Sequence, residues 1–93
     1  MIQPKLEKAS EIRTAIWRFI VDNFLFGSIP DSFSDDDSFL ERGIIDSTGI
    51  LELVEYIEGT FGIAIEEDEL LPENLDSLAN AVAFVCRKLG KGS

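Results

Sequence analysis

Asp46 and Ser47 are the residues of this 93-residue chain best placed to do chemistry. They follow the apolar pair Ile44-Ile45 and precede Ile50, Leu53, Val54, Ile57 and Phe61, which recur at helical spacing within an arc of about 100°. This pattern predicts a helix from Asp46 or Ser47 to about Phe61, stopped by Gly62. A serine in that place has two uses. It can cap the helix by accepting a free backbone N–H, a task Asp46 could also perform. It can instead carry a phosphate, whose charge meets the free N–H groups and the positive end of the helix dipole. A phosphorylated or phosphodiester-modified Ser47 fits the position.

Little else in the chain offers reactive chemistry. There is no histidine, so the commonest general acid or base is missing and Ser47 has no visible base partner. The single cysteine, Cys86, has no internal disulfide partner, and the zinc patterns need several Cys or His. Cys86 reads as a small buried apolar residue. Asp35-Asp36-Asp37 invites a calcium reading, yet it lacks the Gly and the distal Glu of the helix-loop-helix calcium loop and is read as solvated charge. Glu66 and Asp68 sit in an acidic run that looks exposed, where a raised carboxyl pKa has no cause. No Gly-x-x-x-x-Gly-Lys phosphate loop is present. A non-enzymatic role is expected.

The elements that must position Asp46 and Ser47 are helical. At 45% hydrophobic content the chain reads as one small globular domain over 1–93, with an ordered core of about 10–89. Ser10 is the expected N-cap of a first helix running to Phe26, with Ile12, Ile16, Phe19 and Ile20 on one stripe. Gly27 and Ile29-Pro30 end it. Trp17, Val21 and Phe24 lie off that stripe, to be covered by the following loop, by a partner or by a second copy of the chain. That long loop, Gly27 to Asp46, is expected to be pinned by Phe33, Phe39, Leu40, Ile44 and Ile45. After Gly62, residues 63–65 read as an extended connector and Glu66 to Leu71 as one acidic turn before Pro72. Asp76 or Ser77 caps a last helix carrying Leu78, Val82, Val85 and Leu89, with Ala81 and Cys86 beside them. Arg87 and Lys88 suit its negative end, Gly90 stops it, and the final residues fray. Three main helices, one minor helix and a long first loop make an all-α, small four-helix bundle.

Charge narrows the class of partner. The formal net charge is −10, and residues 28–76 hold fifteen acids against one base. Nucleic acid is disfavoured, since phosphate backbones are bound by Lys and Arg. Such a block either solubilises the surface or steers encounter with basic partner surfaces. Mixed charges near the N-terminus do not fit a secretory signal, and no run reaches membrane-span length, so a cytoplasmic monomer is expected.

Gly43-Ile44-Ile45-Asp46-Ser47, the Glu52-Leu53-Val54 helix, Phe61-Gly62-Ile63 and the acidic turn before the last helix resemble the acyl carrier proteins and related peptidyl carrier domains. The resemblance runs from about Ser10 to Leu89. It implies a four-helix bundle whose serine bears a 4′-phosphopantetheine arm, attached from coenzyme A with magnesium by a phosphopantetheinyl transferase (a holo-acyl carrier protein synthase). It further implies a thioester-held acyl or aminoacyl cargo, delivered to ligases, transferases and synthases with basic patches. By position, Ser47 would hold the arm and Asp46 assist its attachment. Glu52 and Glu58 would meet partner basic patches, with Leu51 as an exposed apolar contact. Thr48-Gly49 stands where the family usually has Leu after the serine, and Glu55 where an apolar residue is frequent. Both departures bear on partner choice and point to a specialised pathway rather than routine fatty acid synthesis. A long acyl chain could slip between helices lined by Ile50, Val54, Ile57 and Leu78. The competing reading is an acidic helical interaction module with no prosthetic group, Ser47 being only a cap.

Overall fold

Ile12, Ile16 and Ile20, spaced four apart on one face, fix how the first helix lies: all three are fully buried. The computed structural model describes residues 9–27 and 29–90. Helix α1 spans Ala9–Ile20 and continues as a π turn over Val21–Leu25. Ser10 lies inside α1 rather than capping it, and its carbonyl accepts from the Thr14 hydroxyl at 2.9 Å. The π turn ends on Phe26 in the left-handed region, φ 51°, with the Phe26 N–H closing on the Val21 carbonyl. The sequence predicts a regular helix here. The wider register is invisible to it because the local apolar pattern does not separate an α turn from a π turn.

Residues 29–46 form a loop held down by its own side chains. Phe39, Ile44 and Ile45 are buried, and Phe33 stacks on Trp17 with centroids 4.8 Å apart. The loop therefore covers the Trp17 face of α1, as the sequence suggests. Backbone bonds tie it to the start of the last helix: the Phe39 N–H donates to the Asp76 carbonyl at 2.8 Å and the Ala79 N–H to the Asp35 carbonyl at 2.9 Å. The Asp76 carboxylate also accepts from the Ser38 hydroxyl and, at 3.0 Å, from the Leu40 N–H. Asp35 and Asp37 are not merely solvated charge. Asp35 takes Arg13 in a two-bond pair at 2.6 and 2.7 Å, and Asp37 takes Arg42 at 2.9 Å.

Helix α2 spans Ser47–Phe61 and buries Leu53, Val54 and Ile57, with Ile50 and Phe61 half-exposed at the ends of the stripe. It ends at Gly62, whose φ of 68° favours glycine. Tyr56 joins α2 to α1, stacking on Phe19 at 4.3 Å while its hydroxyl donates to the Ala15 carbonyl at 3.1 Å. After an extended connector, Glu67–Glu69 forms a 3-10 turn and Pro72–Leu75 a short helix, α3. The minor helix is thus not the acidic turn. Pro72, which follows the acidic turn, opens a helix, since proline lacks only an N–H that a first-turn position does not use. Helix α4 spans Leu78–Lys88, capped by Ser77, whose oxygen accepts the Asn80 N–H at 3.0 Å. Its buried face centres on Leu78, Ala81, Phe84, Val85 and Cys86. Phe84 takes the place expected for Val82, which is half-exposed. The expected fraying after Gly90 falls on residues 91–93, outside the described residues.

α1 packs along α4 and α3 on the start of α4, giving one core shared by all four helices and the loop. No helix among the described residues is long and apolar enough to cross a membrane.

Candidate functional site

Ile44 and Ile45, buried at the end of the long loop, aim the chain into α2 and leave the next two residues at the surface. Asp46 is the N-cap: its backbone is extended and its Oδ1 accepts the Gly49 N–H at 2.7 Å. The capping task belongs to Asp46, not to Ser47. Ser47 is the first residue of α2, exposed, and its hydroxyl enters no hydrogen bond among the described residues. An anionic substituent on that oxygen would sit by the positive end of a fifteen-residue helix.

Gly49 is buried against the body of the protein. A Cβ there would stand 2.8 Å from Ile45 Cγ2, 2.8 Å from Phe24 Cε1 and 3.3 Å from Asp46 Oδ1. In an open helix, Gly costs about 1 kcal/mol against Ala. Here that cost buys the close approach of α1 to the start of α2. An isolated Gly inside a helical apolar-periodic run does not by itself reveal this contact, because the partner side chain comes from a distant part of the chain.

An apolar groove of about 260 Å³ opens beside Ser47, lined by Leu40, Ile50, Leu51, Leu71, Pro72 and Leu75 among others. Leu40, Leu51 and Leu71 are 44%, 56% and 42% exposed. Leu51 is exposed as the sequence suggests. Leu40, which the sequence places among the residues pinning the loop, instead lies at the surface, as does Leu71. Of the apolar path expected between the helices, only Ile50 borders this groove; Val54, Ile57 and Leu78 are packed in the core.

The acids of α2 divide. Glu52 and Glu55 are exposed, as is Thr48. Glu58 is half-buried, and its Oε2 accepts the Ile65 N–H at 2.8 Å, tying the connector to α2. From Gly43 to Cys86 the sequence contains no Lys or Arg, so nothing basic from that stretch offsets the negative field around Ser47. Among the described residues no group of three or more His, Cys, Asp or Glu could hold a metal ion.

A family model described as the phosphopantetheine attachment site matches residues 26–85, which cover the loop, α2, α3 and most of α4. Domains of this type attach 4′-phosphopantetheine covalently to a serine and act as non-catalytic carriers. Comparison with curated proteins and with solved structures yields no match.

Proposed function

The chain belongs to the acyl carrier protein family of phosphopantetheine-carrying domains, and from that premise we propose that Ser47 is the serine that holds the arm. One observation carries the choice: Asp46 supplies the cap through the Gly49 N–H, which leaves the exposed Ser47 hydroxyl uncommitted at the head of α2. The other described serines within the matched span are less suited. Ser77 is buried and caps α4, while Ser38 donates to Asp76 and accepts the Glu41 N–H. Ser34 accepts the Asp36 N–H, and Ser32 lies in the loop with φ 60°.

The site fits the group. The phosphodiester would sit at the α2 N-terminus, and the apolar groove offers Leu51, Leu71 and Ile50 to apolar parts of an arm or cargo. When bound, the arm supplies a terminal thiol that holds an acyl or aminoacyl cargo as a thioester. The chain's own work is presentation: a small bundle displays one tethered position to several enzymes in turn, which raises the local concentration of cargo at each. Asp46 would assist attachment by the phosphopantetheinyl transferase. Thr48, Leu51, Glu52 and Glu55 form the exposed face that acyl- or aminoacyl-handling enzymes with basic patches would meet, with Glu58 adding charge at its edge. The exposed Thr48 and Glu55 favour a specialised pathway over routine fatty acid synthesis; Gly49, buried against Ile45 and Phe24, serves packing rather than partner choice.

Incubating the purified protein with coenzyme A, magnesium and a broad-range phosphopantetheinyl transferase should add the mass of one arm to the wild type and none to Ser47→Ala. No gain on the wild type, or an equal gain on Ser47→Ala, would end this reading in favour of another serine or of an interaction module without a prosthetic group.

A further inference from the structure

We infer that Phe24 and Gly49 form a size-matched pair that positions Ser47 for the enzymes that act on it, Phe24 being a positioning residue that never touches the arm. The inference rests on the Ser47 reading for its functional half and on geometry for the rest. The π turn Val21–Leu25 carries Phe24 at the end of α1, and Phe24 Cε1 lies 2.8 Å from where a Gly49 Cβ would be. Only a residue without a side chain lets the ring stand there. A real Cβ does not approach another carbon that closely, so ring and backbone each define where the other sits.

Gly49 lies two residues after Ser47, in the same first turn of α2. That turn is fixed from three sides: by Ile45 from the core, by the Asp46 cap, and by Phe24 from α1. Phe24 is itself braced. It meets Phe19 edge-on with centroids 5.8 Å apart, and Phe19 stacks on Tyr56 of α2 at 4.3 Å. The ring thus bears on the head of α2 while its support is anchored further along the same helix. A shift of Phe24 would be passed to the first turn and so to the Ser47 oxygen, and small displacements of a reacting group carry large rate penalties.

The test compares wild type, Phe24→Ala, Phe24→Leu, Gly49→Ala and the double variant Phe24→Ala/Gly49→Ala, by backbone amide NMR of the unloaded proteins and by steady-state loading with the transferase. Phe24→Ala should keep its helical circular dichroism, move the Ser47 and Thr48 amide signals further than Phe24→Leu does, since both lose the ring's own effect on the shifts and only the alanine leaves the space empty, and lower kcat/KM for loading about tenfold. Phe24→Leu should stay within roughly threefold of wild type. Gly49→Ala should load poorly or fail to fold, and the double variant, which removes the Phe24 contact but leaves Ile45 Cγ2 2.8 Å from the added methyl, should recover part of the folding and loading lost. Ser47 and Thr48 amide positions in Phe24→Ala that coincide with those of Phe24→Leu, or wild-type loading kinetics in Phe24→Ala, would overturn the pair. If the wild type is not loaded at all, the Ser47 reading fails, while the amide shifts of Phe24→Ala against Phe24→Leu still decide the pair.

Discussion

Asp46 combines a cap and a charge beside Ser47, and two substitutions separate them. Asparagine caps a helix about as well as aspartate, whereas alanine removes a cap at a cost of about 1 kcal/mol. Asp46→Asn should therefore match the wild type in urea denaturation, and Asp46→Ala should lose about that amount. If Asp46 assists attachment through its carboxylate, both variants should load the arm more slowly; loading of Asp46→Asn at the wild-type rate would reduce Asp46 to a cap. Glu58 needs the same care. Its bond from the Ile65 N–H means that Glu58→Ala leaves a part-buried donor without its acceptor. That should cost about 1–3 kcal/mol, while Glu52→Ala and Glu55→Ala should stay within about 0.5 kcal/mol. A charge-reversal test of the partner face therefore belongs on the exposed pair. Glu52→Lys with Glu55→Lys should slow transfer from a basic partner enzyme at low salt with the denaturation midpoint near wild type, and unchanged transfer would count against an acidic docking face.

At the scale of elements, the long loop is folded as firmly as the helices it joins, because Phe39 is fully buried and bonded through its N–H to Asp76. Phe39→Ala should cost about 3–5 kcal/mol, comparable with the whole stability of a domain this small. The expected result is loss of cooperative thermal unfolding, with Phe39→Leu retaining it; a cooperative transition in Phe39→Ala close to wild type would mean the loop is not integral to the core. The burial of Phe39, Ile44 and Ile45 was legible because a loop that long needs apolar anchors. Helices α1, α2 and α4 were legible from the 3.6-residue period, and Asp46-Ser47 from signals local to one helix start. The rest depends on distance along the chain. Asp76 reads as one of two possible caps until Ser38, 38 residues away, is seen to donate to it. Leu40 and Leu71 flank Ser47 only after the loop and α3 have packed, and Phe24 meets Gly49 only once the π turn and α2 are side by side. Local pattern points to the residues of the candidate site, and tertiary packing supplies its walls.

For the whole molecule, charge acts in opposite directions on stability and on function. At a formal net charge of −10 the folded chain repels itself. Against this stand the partly exposed ion pairs Arg13–Asp35, Arg42–Asp37 and Lys88–Glu69, each of a kind that contributes little in water. Asp35 is held below its ordinary carboxyl value by the hydrogen bond from Arg13, and Glu69 below its own by the Glu66 N–H and then Lys88. Carboxyls depressed in the folded state stabilise it fully above their unfolded values of 3.8 and 4.5 and lose that contribution as pH falls through the lower folded values. At neutral pH those contributions are complete, so added salt acts mainly by screening the excess negative charge. Raising sodium chloride from about 0.01 to 0.3 M, where the screening length falls from about 30 Å to well under 10 Å, should therefore raise the melting temperature. A relief of about 1 kcal/mol corresponds to roughly 4–8 °C in a domain of this size. The same salt weakens steering toward a basic partner, so the association rate in loading or cargo transfer should fall, by about tenfold for a strongly steered pair. Opposite signs in the two measurements are the expected signature of an acidic surface kept for docking at some expense in stability. A melting temperature that falls with salt would show that the ion pairs outweigh the repulsion, and a transfer rate indifferent to salt would remove the acidic face from partner recognition.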